Sequence, residues 1–341
     1  MEQNPEIRDD VSRLLNLLST TKRPAADVRN IERLIISLGD LLEGNASSLD
    51  LKIASSALQE MSQAYNMFAP YRDTRKVTIF GSARTHPHEP IYERTVQTAR
   101  AIADAGFMVV TGAGPGIMEA GMEGAGVKNS IGVSIRLPFE TGANSIIAGD
   151  EKYVSMKYFF TRKLMLVKES HAFLCMPGGF GTLDETFELL TLAQTAKTVP
   201  IPIVFLELPG EPFWTPLMTS MNELLLRHGL ISASDTSLYT ITDDIKVAVG
   251  TITDFYANYH SIRFVNNNLI MRMHRPVPVD DFSRIASKHS GIADVDGIIQ
   301  CGPTKAEEKE NDVLHLHRIS LKYTAKGFAD LRPLIDDINL F

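Results

Sequence analysis

The spacing of apolar positions changes twice along the chain. From 6 to about 68 they recur at three and four, in VSRLLNLL, VRNIERLIISLGDLL and LKIASSALQEMSQAYNMF, with breaks at KRPAAD and GNASS. This spacing predicts three amphipathic helices that pack on the main domain or on a second subunit. The stripe Met61, Tyr65 and Phe68 reads as core rather than as a cofactor box.

From 76 the pattern becomes short apolar runs alternating with helical stretches: KVTIFGSA, YERTVQTARAIADAG, FMVVTGAG, GIMEAGMEGAG, SIGVSIRLP, YFFTRKLMLVKES, HAFLCMPGG, LDETFELLTLAQTA and IPIVFLEL. Strands of four to six residues separated by helices of ten to fifteen imply right-handed crossovers and a parallel sheet covered on both faces. The helix WTPLMTSMNELLLRHGLIS, a strand around 237–242 and a closing helix in TDDIKVAVGTITDFYANYH complete this part near 260. Beyond it the pattern predicts a strand (SIRFVNNNLIMRM), a helix (DDFSRIASKH), a strand (DGIIQC), an acidic turn (KAEEKEND), a strand (VLHLHRISLKY) and a helix (FADLRPLIDDI). The expected architecture is α/β: a doubly wound Rossmann-like parallel sheet over 73–260, a helical N-terminal extension over 1–72, and a small α+β appendage over 261–341. No repeat of 20 to 50 residues appears.

Composition adds limits. The 341 residues are 44% hydrophobic and 22% charged, the balance of an ordinary globular protein. A net charge of −7 argues against a protein that grips nucleic acid, while leaving room for a local basic cleft that binds one small anion. Cys175 and Cys301 form no CxxC pair, so neither a disulfide framework nor a zinc site is indicated, and a reducing cytoplasm fits. The start MEQNPEIRDD is acidic, unlike a signal peptide, and no apolar run is long enough for a membrane span. The cluster HPHEP, with His86, His88 and Glu89, is the one place to look for a metal, and its proline spacing makes a poor site.

Three predicted strand ends carry special residues: GSAR at 81–84, TGAGPGIME at 111–119 and PGGFGTLDE at 177–185. In an open α/β sheet ligands lie outside the carboxyl ends of the strands. Gly112, Gly114 and Gly116 make a tight turn that either only joins strand to helix or lets backbone amides at a helix N-terminus meet a phosphate. The dinucleotide fingerprint is not met, because Ile117 stands where its third glycine belongs. In the third loop Gly178, Gly179 and Gly181 free the backbone, and three glycines in five residues before a helix form a nest of amides suited to phosphate. Thr182 and Glu185 also have the T-x-x-E spacing of a capping box, so the glutamate is either a cap or a charge facing a ligand. A carboxylate beside a bound phosphate would face a part of the ligand that is neutral or turning positive, such as a ribose carbon losing its base. Arg162 in FFTRKLML is a basic residue at the edge of a half-buried helix, on a different face from Lys163. Asp184 reads as a favourable charge on the helix dipole.

Together, the PGGFGTLDE motif, the arginine-lysine pair upstream, and the FGSA and GAGPGIMEA loops resemble the Lonely Guy (LOG) family over roughly 76–250. These are doubly wound phosphoribohydrolases formerly labelled lysine decarboxylases. The resemblance implies hydrolysis of the N-glycosidic bond of nucleoside 5′-monophosphates, AMP or cytokinin riboside monophosphates, giving free base and ribose 5-phosphate. It implies Arg162 and Glu185 as the catalytic pair, phosphate on the amides of Gly179, Gly181 and Thr182 beside Gly178, help from Gly114 and Gly116, and Ser82 lining the nucleotide pocket. It calls for no cofactor or metal, and it implies a homo-oligomer, dimer or higher. Plant-type members have glutamate before the arginine, where this chain has Thr161. The alternatives are a non-catalytic nucleotide sensor or a molybdenum-cofactor carrier, and a nicotinamide-dependent oxidoreductase with Arg136 on a 2′-phosphate; the acidic balance disfavours a DNA-processing role.

Overall fold

The computed structural model describes residues 24–137, 142–324 and 327–341, together with Arg13. Of the first expected helix, on VSRLLNLL, all but Arg13 lies outside the described residues. The chain divides into two compact units, Met1–Gln59 and Glu60–Phe341.

In the first unit, α1 (Ala25–Glu43) starts directly after Pro24 and ends at Gly44. The next helix, α2 (Ser48–Phe68), runs on into the second unit. Its start is fixed by a reciprocal pair: Ser47 donates its amide to Asp50 Oδ2 (2.8 Å) and its hydroxyl accepts the Asp50 amide (3.2 Å).

The second unit is built on β1 (Lys76–Phe80), α3 (Pro90–Asp104), β2 (Met108–Thr111), α4 (Ile117–Ala125), β3 (Ser130–Ile135), β4 (Tyr153–Met156), α5 (Phe159–Lys168), β5 (Ala172–Cys175), α6 (Phe180–Gln194), β6 (Ile203–Leu206), α7 (Trp214–Arg227), β7 (Thr240–Thr242) and α8 (Ile245–Asp254). The seven strands form one parallel sheet in the order β4-β3-β2-β1-β5-β6-β7. The doubly wound α/β expectation therefore holds. Winding runs outward from β1 to β4 and resumes at β5 on the other side of β1. The switch point of the sheet thus lies between the carboxyl ends of β1 and β5.

Central strands are buried throughout, as a sheet covered on both faces requires. Their side chains alternate between two cores. Val77, Ile79, Val109, Leu174 and Val204 face one side, and Phe80, Val110, Phe173, Cys175 and Phe205 the other. The edge strand β4, in YVSM, has no counterpart in the predicted elements: only Val154 and Met156 are buried, too short an alternation to register as a run. In the expected core stripe of α2, Phe68 is buried and Met61 packs against the core, but Tyr65 is exposed beneath the Lys168 ammonium, 5.4 Å from its ring centre.

The remainder is β8 (Tyr259–Val265), β9 (Asn268–Met273), α9 (Val279–Lys288), β10 (Ala293–Cys301), α10 (Lys305–Glu310), β11 (His317–Tyr323) and α11 (Arg332–Ile338), with an antiparallel sheet ordered β10-β11-β9-β8. Two expectations are corrected here. SIRFVNNNLIMRM is a hairpin rather than one strand, because Asn266 and Asn267 both take the left-handed conformation that a tight hairpin turn demands (φ 49° and 66°). KAEEKEND is a helix rather than a turn, nucleated by a capping box between Thr304 and Glu307. This α+β segment shares a core with the first face of the large sheet: Leu269, Met271, Ile319, Leu334 and Ile338 join Val77, Leu174 and Tyr256. Among the described residues no helix is long and apolar enough to cross a membrane.

Glu307, with no exposed surface, holds this segment together. It accepts from Arg272 Nε (2.8 Å) and Arg318 Nε (3.1 Å) and from the Thr304 amide and hydroxyl (both 2.8 Å). Burial pushes its carboxyl up, but the Thr304 bonds and the two arginines outweigh it and bring the pKa down to about 2. A carboxylate whose pKa is depressed on folding adds stability above its unfolded value, and loses it as pH falls through the folded one. Stability should therefore decline between about pH 4.5 and 2, measured by urea denaturation at a series of pH values. Glu307→Gln should cost about 3–5 kcal/mol at neutral pH and flatten that decline, since the buried Arg318 loses its carboxylate partner and Arg272 is left with Asp312 alone.

Candidate active site

The three glycine-bearing loops meet at Ser82, at the switch point. The Ser82 amide donates to the Pro177 carbonyl (3.2 Å), and its carbonyl accepts the Ile117 amide, the first of α4 (3.0 Å). Its hydroxyl accepts the Arg84 amide (3.1 Å). Gly116 takes φ +69°, and a Cβ there would stand 2.4 Å from the Ser82 carbonyl oxygen, so both conformation and space exclude other residues. A Cβ on Gly178 would stand 2.2 Å from Thr182 Oγ1 and 2.9 Å from the Ser82 amide. Ser82, Gly116, Gly178 and Thr182 are thus gathered in one place. Gly114 lies in the same turn, its carbonyl accepting Asn144 Nδ2 (3.0 Å), and the intervening Ala113 is left-handed at φ 58°.

Gly179 and Gly181 differ. Among the described residues, apart from their chain neighbours and the backbone of their own helix, no atom lies within 4 Å of where their Cβ atoms would be, and both are exposed with Phe180 at the start of α6. Packing does not require these glycines, so what they leave open is room above a helix N-terminus. That helix has Gly179 at its cap and no side-chain cap. Its first amides have no partner one turn back, the arrangement that receives anions elsewhere. The capping-box alternative for Thr182 and Glu185 does not describe this helix: it starts at Phe180, which places Thr182 inside its first turn.

Glu185 instead faces Arg162. Nη1 of Arg162 donates to Glu185 Oε1 (3.0 Å), and Nε donates to the carbonyl of Val133 within β3 (3.1 Å). The guanidinium sits against the second loop, and a Cβ on Gly112 would fall 2.2 Å from Nη2. Arg162 is 8% exposed. Burial raises the Glu185 carboxyl above its ordinary value, with Arg162 and Lys163 pulling the other way. Next to this pair Lys163 binds Asp184 (2.6 Å) and Glu188 (2.9 Å), so the charge expected to serve the helix dipole is an ion-pair partner. Two successive basic residues of α5 therefore clamp two turns of α6. Cys175, beneath the loop, is fully buried and its thiol is pushed up to about 12 by desolvation. Among the described residues no group of three or more His, Cys, Asp or Glu is placed to hold a metal; His86 and His88 stack on each other with ring centres 5.7 Å apart.

Gly112, read as a turn glycine, also makes space for the arginine. Two contributors had no mark in the sequence pattern: Asn144 pins the second loop, and Glu60 holds α5. That helix has no cap of its own at Tyr158. The buried Glu60 supplies one from α2, accepting the Lys157 amide (2.8 Å), the Tyr158 amide (3.4 Å) and the Thr161 hydroxyl (2.7 Å). A carboxylate at a helix N-terminus also complements its dipole.

Residues 111–252 match the family model described as "Possible lysine decarboxylase", the label formerly given to the LOG family. No curated protein matches the chain. Among solved structures, the molybdenum cofactor carrier protein of Chlamydomonas reinhardtii is 20% identical, with TM-score 0.37 over 52% of this chain and 94% of that one. DNA processing protein A of Helicobacter pylori is 19% identical, with TM-score 0.38 over 53% and 82%. The molybdenum cofactor binding protein of Rippkaea orientalis is 17% identical, with TM-score 0.36 over 52% and 93%. Likenesses this distant carry no argument about ligand or activity.

The cap on α5 makes a testable claim. Glu60→Ala should lower stability by about 2 kcal/mol and Thr161→Val by about 1 kcal/mol, because buried amides or a carboxylate oxygen lose their partners. Urea denaturation of both variants checks this, and near-parental stability for Glu60→Ala would contradict it. The segment matched by the family model contains the second and third glycine loops, Arg162 and Glu185.

Proposed function

We propose that the protein is a phosphoribohydrolase that cleaves the N-glycosidic bond of nucleoside 5′-monophosphates, with AMP or its N6-substituted relatives as substrates. The observation that supports this best is the buried Arg162–Glu185 pair beside a helix N-terminus whose opening glycines face empty space. The family-model match over this segment points the same way.

In this reading the 5′-phosphate rests on the amides of Gly179, Gly181 and Thr182 beside Gly178, with the Gly114 and Gly116 turn closing the other side and Ser82 lining the pocket. Phosphate binding supplies remote energy that fixes the sugar over the carboxylate. As the bond from the anomeric carbon to the base nitrogen breaks, the sugar acquires positive charge. Glu185 stabilises that charge and orients the water that adds to the anomeric carbon. The water oxygen ends on ribose 5-phosphate, one of its protons on the departing base, and no redox partner is needed. Arg162 keeps the carboxylate aimed, anchored in turn by the Val133 carbonyl. Phe159 and Phe160, each 54% exposed, and Phe180, 91% exposed, leave apolar surface at the starts of α5 and α6, which supports a homo-oligomer as part of the reading.

Two outcomes follow from this mechanism. Purified protein incubated with AMP, an N6-prenylated AMP and other nucleoside monophosphates should release base and ribose 5-phosphate, and Glu185→Gln should lower turnover about 1,000-fold while still binding nucleotide. Binding without base release from any of them would replace hydrolysis with the sensor reading. Because catalysis needs ionised Glu185 and burial holds its pKa above 4.5, kcat/KM should fall on acidification with a midpoint above that value. A pH profile read against the Asp variant, which keeps a carboxylate, tests the assignment.

A further inference from the structure

A cavity of about 800 Å³ opens at the other edge of the sheet from the glycine loops. Its walls come from the segments that lead into β1, β2, β5 and β6, and from Tyr256 to Ile262 and His274 beside the small sheet. The protein is acidic overall, yet this lining gathers Arg72, Arg75, Lys168, His171, His260 and His274 around one carboxylate, Asp73.

Arg75 is the centre of the cluster. Among the described residues its guanidinium has no carboxylate at ion-pair distance; it lies over the Tyr256 ring, 4.2 Å from the centroid. The turn that presents it is fixed from below by the fully buried Lys76, whose ammonium donates to the carbonyls of Tyr71 (2.6 Å) and Thr74 (2.9 Å). This lysine uses its charge on the backbone, and the arginine beside it is left free. The imidazoles add neutral donors. His171 Nδ1 accepts the Lys76 amide (3.3 Å), which puts its proton on Nε2, and His260 Nδ1 meets the Ser261 hydroxyl (2.8 Å). Burial, with Lys76 and Arg75 near one and His274 and Arg75 near the other, brings both rings down to about 4. Lys168 is already paired with Glu169 (2.5 Å), leaving Arg72 and Arg75 as the available charges.

The geometry points to a second binding site, for a phosphorylated small molecule of nucleotide size, with Arg75 and Arg72 on its phosphate and His171, His260 and His274 as further donors. Its volume suits such a ligand, and Tyr256 and Phe107 offer apolar surface to an organic part. An arginine fork without a carboxylate is matched by a phosphate's oxygens, and a single-charge carboxylate would leave the second arginine unmet. The inference is independent of the reaction proposed for the glycine loops, since none of its residues lies there.

The test follows the imidazole Cε1–H signals of the full chain, labelled on histidine, during titration with pyrophosphate. The His171, His260 and His274 signals, assigned by single Gln variants, should shift together and saturate. Arg75→Gln should weaken that isotherm about tenfold or more. Arg72→Gln, on the exposed rim and away from the Tyr256 stack, should weaken it severalfold, so the claim survives a fold defect in the first variant. Arg84→Gln, an exposed arginine at the opposite end of the sheet, should leave it unchanged, and His86 and His88 report on that end separately. Shifts reproduced by sodium chloride at equal ionic strength, or a parental isotherm in both arginine variants, would overturn the site.

Discussion

The guanidinium of Arg162 is the group around which the second unit is organised. A buried arginine must satisfy its donors inside the protein, and this one does so with a strand carbonyl from Val133 and a helix carboxylate from Glu185, in a space open only because Gly112 has no side chain. Three elements are therefore placed by one side chain: β3, α6 and the turn after β2. Lys163 repeats the contact one residue on, with Asp184 and Glu188, so α5 and α6 cannot slide past each other without breaking both.

The switch point gives this arrangement its setting. Parallel strands bring every carboxyl end to one edge, and the reversal between β1 and β5 opens a crevice where Ser82 ties the first loop to the other two. Glycines there act in two ways. Those at 112, 116 and 178 let the protein approach itself, while those at 179 and 181 leave open space that no other described part of the chain fills.

Much of the central sheet was legible because strands buried on both faces read as continuous apolar runs, as KVTIF and AFLC do. What escaped is what lacks such a run. YVSM buries two side chains at an edge, and the hairpin at Asn266–Asn267 hid in a stretch whose apolar residues continue through the turn. KAEEKE becomes helical through Thr304 and Glu307, a local cap that its acidic composition masked. At the candidate site, the loops and the Arg162 and Glu185 positions stood out through glycine spacing and motif. Their pairing did not, because it depends on two helices meeting, and T-x-x-E spacing also fits a cap. Glu60 was invisible for a plainer reason: its partners lie about a hundred residues away, and nothing in LQEMSQ distinguishes it from a solvated glutamate.

That distant cap also sets where the chain can be shortened. The boundary between the two compact units falls after Gln59, so a fragment starting at Glu60 would keep the carboxylate that anchors α5, whereas one starting at β1 would lose it together with Ala64 and Phe68 from the core. The last turns of α2 thus belong with the second unit in packing and in holding the start of α5. A natural relative or a trimmed version that lacks them would need another residue to close the start of the helix that carries the arginine.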